Sequence, residues 1–126
     1  MITNFEEITA ELTSEELQVL PKLMEGFENH SIHDPIIATV LVGKMNSYLK
    51  MNNNPIKMTD VRLRKMVNFI RTNGLLPLIA TSKGYYVTYN EGEIQKQIDS
   101  LEQRSNSIAR AALGLRKVLE MIKSKK

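Results

Sequence analysis

Apolar residues recur at helical spacing in three stretches, then alternate briefly, then settle into a long seam. In the first stretch Leu17, Leu20, Leu23, Met24 and Phe27 follow Thr13-Ser14-Glu15-Glu16. That tetrad reads as a capping box: the Thr13 hydroxyl can accept from the Glu16 N–H, and the Glu16 side chain can reach back. Pro21 lies inside the run. It lacks an N–H and crowds the preceding turn, so a kink or short break is expected there. His30-Ser31-Ile32-His33-Asp34 reads as a turn. Asp34 as N-cap and Pro35 at the first position then open a second helix. Its expected buried stripe is Ile37, Val40, Leu41, Met45, Tyr48 and Leu49, and Asn52-Asn53-Asn54-Pro55 ends it as a turn.

The third helix is the cleanest. Thr59 is its N-cap, Leu63, Met66, Val67 and Ile70 sit at i, i+3, i+4 and i+7, and Asn73-Gly74 closes it in the manner of a left-handed cap. Two short runs rich in β-formers follow at 76–81 and 85–89. Ser82-Lys83-Gly84 suits a three-residue hairpin loop, with Gly84 free to take positive φ and Lys83 at the tip. Pro77 confines the first run to an edge or an irregular start.

From Glu91 onward the pattern is one long helix. Ile94, Ile98, Leu101, Ser105, Ile108, Ala112, Leu115, Leu119 and Ile122 are separated alternately by four and three residues, a heptad seam. Gly92 and Gly114 weaken it, and Ala109, Ala111 and Val118 widen its apolar face. The seam can serve a homodimer or pack on its own domain. Three helices already close the core ahead of it, which favours self-association through Ile94, Ile98, Leu101, Ile108, Leu115 and Leu119.

These elements predict a mainly α fold with a small β-hairpin, a winged helix-turn-helix plus a long C-terminal helix. The expected partition is an N-terminal arm at 1–12, a winged-helix domain at 13–90 and a C-terminal helix at 91–126.

Charge sharpens this layout. The formal net charge is only +3, but residues 35–90 carry eight Lys/Arg against one acid, Asp60, while residues 1–34 carry eight acids against Lys22. A basic middle of this kind is the footprint of a phosphate-binding surface. Projected at 100° per residue, the third helix turns Val61, Lys65, Asn68 and Thr72 outward. Arg64 and Arg71 flank that face on one side, Arg62 and Phe69 on the other. A solvated basic face would look similar. The adjoining hairpin, helix 59–73 followed by wing 76–89, tips the reading to duplex DNA. Arg62, Arg64, Arg71 and Lys83 are then expected on phosphates, and Lys65 and Asn68 at base edges.

Other chemistries find little support in the residues. The chain has 126 residues and no cysteine, which removes disulfides and thiolate metal sites. His30, His33 and Asp34 offer three ligands in a turn with no fourth in view, and read as a polar interhelical turn. No phosphate loop and no nucleophile motif is present, so neither an enzyme nor a cofactor is expected. Aromatic content is 6% with no Trp, which argues against a single-strand stacking platform. The opening MITNFEEIT is acidic and lacks a long apolar run, so a cytoplasmic, non-membrane protein is expected. The alternative to DNA binding is a protein-interaction module that uses the acidic first helix and the C-terminal seam.

Three segments, LRKMVNFIRTNG, LPLIATSKGYYV and IQKQIDSLEQRSNSIARAALGL, resemble small phage or prophage-encoded proteins with a winged helix-turn-helix and a C-terminal helix. The segment LTSEELQVLPKLMEGF is similar more loosely. The SKGYY hairpin after a helix ending in NG is the most specific part. The resemblance implies a DNA-binding accessory protein of phage or mobile-element replication or regulation. It would make Arg62, Arg64, Lys65 and Asn68 recognition-helix residues and Lys83 the wing tip. The interval 35–59 is longer than the usual second helix and turn.

Overall fold

A computed structural model describes residues 10–125. Most of the expected arm at 1–12 therefore lies outside the described residues. The chain divides into two compact units, Met1–Tyr89 and Asn90–Lys126.

In the first unit, helix α1 spans Ser14–Glu28 behind the expected capping box. The Thr13 N–H donates to Glu16 Oε1 at 2.9 Å and the Glu16 N–H donates to Thr13 Oγ1 at 3.2 Å. α1 continues through Pro21 without the expected break. Pro21 is exposed, and the carbonyl it leaves without a donor belongs to Leu17, also exposed, where water can serve it. The inner face is Glu16, Val19, Leu20, Leu23 and Phe27. Leu17 does not belong to it, contrary to the expected stripe: it is offset by one residue, about 100°, from Glu16.

The second helix starts later than Asp34-Pro35 suggests. Residue 36 is extended instead and forms a β-bridge with Tyr85. The Ile36 N–H donates to the Tyr85 carbonyl at 2.9 Å, and the Tyr85 N–H returns the bond at 2.8 Å. The Val87 N–H adds a bond to the His30 carbonyl at 3.1 Å. The free edge of the hairpin needs backbone partners, and burying Ile36 there outweighs an early helix start. Helix α2 then spans Ala38–Met51, with Ile37 at its N-cap and no side-chain cap. Leu41, Met45 and Leu49 are its buried residues. Ile37, Val40 and Tyr48, expected inside, are exposed. Val40 and Tyr48 each precede a buried leucine by one position, which turns them onto another face.

The link from α2 to the next helix is fixed by Asn46. Its Nδ2 donates to the Met58 carbonyl at 3.0 Å and its Oδ1 accepts from the Met58 N–H at 2.7 Å. Helix α3 spans Asp60–Thr72 with Thr59 as N-cap, and buries Leu63, Met66, Val67 and Ile70 as expected. Gly74 takes φ of 60°, and the Leu75 N–H reaches back to the Ile70 carbonyl at 3.0 Å, closing the helix.

Strand β1, Leu78–Thr81, pairs antiparallel with β2, Gly84–Val87, in the register Leu78↔Val87 to Thr81↔Gly84. The loop is therefore Ser82-Lys83 alone, one residue shorter than expected, because Gly84 joins the ladder. Gly84 takes φ of 128°, and a Cβ there would stand 2.5 Å from the Ile36 carbonyl oxygen. Only glycine lets the two backbones approach this closely. The Phe27 ring meets Tyr85 edge-on, centroids 5.5 Å apart, tying α1 to the hairpin.

The second unit is helix α4, Glu91–Ser124, capped by the Asn90 side chain, which accepts from the Glu93 N–H at 3.0 Å. None of its residues is buried. No helix among the described residues is long and apolar enough to cross a membrane.

Candidate nucleic-acid interface

α3 carries the candidate residues on two edges, and the structure treats the edges differently. On one edge a buried carboxylate collects the cations. Glu16 of α1 is 2% exposed, because residues 16, 20, 23 and 27 share the inner face of that helix. Its Oε2 accepts from Arg62 Nε at 2.8 Å, and its Oε1 accepts from Lys65 Nζ at 2.7 Å. Arg62 also donates from Nη1 to the Lys57 carbonyl at 2.6 Å. Burial alone would raise the Glu16 pKa. The hydrogen bonds from Lys65, the Thr13 backbone and Arg62 outweigh it and hold the carboxyl down at about 2. The side chain of Lys65 is only 14% exposed and that of Arg62 32%. Two of the expected DNA contacts thus serve first as the clamp between α1 and α3.

The other edge is open only in part, since Arg71 is half-buried with its Nη2 out of solvent. Arg64 is exposed, and Asn68 is half-buried one turn on. Arg71 lies on the same edge as Arg64, seven residues along. The Tyr85 phenol on β2 has its pKa raised, first by burial and then by the Asp60 carboxylate, against the opposing fields of Arg64 and Arg71. The basic edge of α3 and strand β2 therefore lie within electrostatic reach of each other. At the end of the hairpin Lys83 is exposed on the two-residue turn. Thr81 holds that turn: its Oγ1 accepts from the Lys83 N–H at 3.2 Å and donates to the Gly84 carbonyl at 3.0 Å.

Comparison with protein-family models, curated proteins and solved structures finds no match to this chain. The site's own geometry carries the reading. It brings Arg64, Asn68 and Arg71 onto one face beside the hairpin that bears Lys83. It separates Arg62 and Lys65 from them by committing both to Glu16.

The turn at His30–Asp34 serves structure. His30 Nδ1 lies 2.8 Å from the Asp34 carbonyl oxygen and 3.5 Å from the Asp34 carboxylate. No group of three metal-ligating side chains occurs among the described residues. A cavity of about 320 Å³ between α1 and α2 is lined by Lys22, Glu25, His30, Lys44 and Tyr48 among others. Lys22 Nζ lies 3.3 Å from Glu25 and 4.8 Å from the Tyr48 ring centre, between two other lining residues. Glu16 and Tyr85, the groups with perturbed pKa, do not line it.

The spacing of Glu16 held a signal that its capping role concealed. It stands three, four and seven residues before Val19, Leu20 and Leu23, on the apolar stripe itself. A carboxylate on that stripe requires a cationic partner in the fold.

Proposed function

We propose that the first unit binds duplex DNA, with the Arg64–Asn68–Arg71 edge of α3 and the Lys83 turn as a single contact surface. The proposal reads the helix followed by the hairpin as a winged helix, in which a helix enters the major groove and the hairpin tip meets the backbone. The observation that supports it is that exposed Arg64, and Arg71 beside it, lie near enough to the hairpin for their charges to act on Tyr85 of β2. Arg64 and Lys83 neutralise phosphates, and Arg71 adds to the same field. Asn68 is the base reader, since its amide can pair with adenine. Arg62 and Lys65 contribute less than a sequence projection suggests, because Glu16 offsets one of their two charges. A role in phage or mobile-element replication or regulation is consistent with the resemblance of 59–120.

The test is a fluorescence titration of mixed-sequence duplex at two salt concentrations. Wild-type binding should weaken steeply with salt. Arg64→Ala and Lys83→Ala should each flatten the log–log slope by about one, alike on all sequences. Asn68→Ala should cost roughly 1–3 kcal/mol on a selected site and little on random DNA. No binding to any duplex at low salt would overturn the reading. One observation favours a protein partner in that event: Val40, Tyr48 and Met51 are exposed along α2.

A further inference from the structure

We infer that α4 pairs with α4 of a second copy in antiparallel orientation, the two-fold axis lying level with Arg110. The inference concerns the second unit and stands independently of the DNA reading.

The first ground is exposure. Ile108 and Leu115 are each 71% exposed, and Ile98, Leu101, Leu119 and Ile122 between 40% and 54%. They form one row from residue 98 to 122, about 36 Å long. A continuous row of large aliphatic side chains in water calls for a cover of the same periodicity.

The second ground is size. Ser105 and Ala112 are consecutive members of the same seam column. Parallel in-register pairing would set Ser105 on Ser105 and Ala112 on Ala112, leaving two thin layers and facing hydroxyls. Antiparallel pairing about residue 110 sets Ser105 of one copy on Leu115 of the other, and Ala112 on Ile108. The remaining layers become Ile98 on Ile122 and Leu101 on Leu119. Each small residue meets a large one.

The third ground is charge. Parallel flanks would join Gln97 to Glu102, Arg104 to Ala109, Ala111 to Arg116 and Val118 to Lys123, with no opposite pair among them. The antiparallel arrangement brings Glu102 of each copy beside Arg116 of the other. Among the described residues neither has an ion pair within its own chain. The same register sets Ala109 on Ala109 and Ala111 on Ala111 at the crossing, where small residues let backbones approach. Sliding the antiparallel pair by one heptad in one direction would oppose Glu102 to Ala109 and Arg116 to Gln95, losing both ion pairs; sliding it in the other would oppose Glu102 to Lys123 but set Leu101 on Lys126, opening the aliphatic seam. The register about residue 110 also places the two α4 starts about 57 Å apart. Each chain's first unit is thus tethered at an opposite end of the pair.

The experiment uses the full chain, which has no cysteine to interfere. Leu101→Cys combined with Leu119→Cys should give a covalent dimer on mild oxidation. Within one helix these positions are about 27 Å apart, too far for an internal bridge. Either single variant should stay uncross-linked. A disulfide in the Leu101→Cys single variant would mean parallel pairing and overturn the inference. So would a wild-type monomer throughout a sedimentation series to high micromolar concentration. Glu102→Arg and Arg116→Glu should each raise the dimer Kd roughly tenfold, because two attractions become repulsions. The combined swap should restore it to near the wild-type value. Failure to restore would overturn the register.

Discussion

Replacing Glu16 with Gln removes the charge that holds Arg62 and Lys65 while keeping the side chain's shape. The carboxyl pKa falls from 4.5 to about 2 on folding. At 1.36 kcal/mol per unit, that depression corresponds to roughly 3 kcal/mol of stability at neutral pH. Breaking a sealed buried pair costs about 3–5 kcal/mol, because the surviving charge has no water. Here the cations keep partial access, with Arg62 32% and Lys65 14% exposed, so the loss should sit at or below the low end, about 2–3 kcal/mol. Because the folded pKa is depressed, the contribution is complete above about pH 4.5 and disappears as pH falls towards 2. The assay is urea unfolding of wild type and Glu16→Gln at pH 7 and at steps down to pH 2.5. Other carboxylates titrate in both proteins, so the difference between the two curves isolates Glu16. That difference should shrink as pH drops. A gap below about 0.5 kcal/mol at pH 7, or one that stays constant to pH 2.5, would refute the clamp. Under the DNA reading the same variant should bind duplex more tightly with a steeper salt slope, since two cations are released.

Gly84→Ala should destabilise by about 2–4 kcal/mol in urea unfolding, because a Cβ would meet the Ile36 carbonyl oxygen at 2.5 Å on a backbone with φ of 128°. Gly43→Ala is the contrast: nothing lies within 4 Å of a Cβ there, mid-helix in α2, so it should stabilise by about 0.5–1 kcal/mol. Asn46→Ala should cost about 1–3 kcal/mol in the same assay, because it strips both hydrogen bonds from the Met58 backbone. Amide exchange at Met58 should accelerate in that variant by more than global destabilisation accounts for.

The elements were legible wherever local chemistry decides them. Thr13 and Glu16, Thr59, and Gly74 mark helix ends through bonds made within a few residues, and each behaves as its type dictates. The α3 stripe was equally plain, since Leu63, Met66, Val67 and Ile70 form an unbroken i, i+3, i+4, i+7 set and the two other large apolar residues, Val61 and Phe69, do not extend it. α2 was harder because its apolar residues exceed one face: Val40 and Tyr48 fit a helical period as well as Leu41 and Leu49 do, and only packing separates them. The start of α2 was misread for a different reason. Asp34-Pro35 is a sound local signal, but Ile36 instead supplies partners to the edge of β2, almost fifty residues away in sequence. A non-local ladder overrides a local cap, and nothing in the spacing announces it.

The candidate interface shows the same division at the level of single charges. A helical projection orders the cations of α3 around an axis, and by spacing it puts Arg64 and Arg71 on one edge. It cannot say which cations another helix will consume. Glu16 takes Arg62 and Lys65 because α1 packs where its carboxylate reaches both, at 2.8 and 2.7 Å. Burying that carboxylate without them would cost several kcal/mol, so the fold needs the pair before any ligand arrives. Two cations against one anion leave a single net charge on that edge, while Arg64 and Lys83 have no ion-pair partner among the described residues. The fold therefore leaves the charge that Glu16 does not take, Arg64 and Lys83, on the side where the DNA proposal puts Asn68, and keeps the opposite edge as the joint that holds α3 in position.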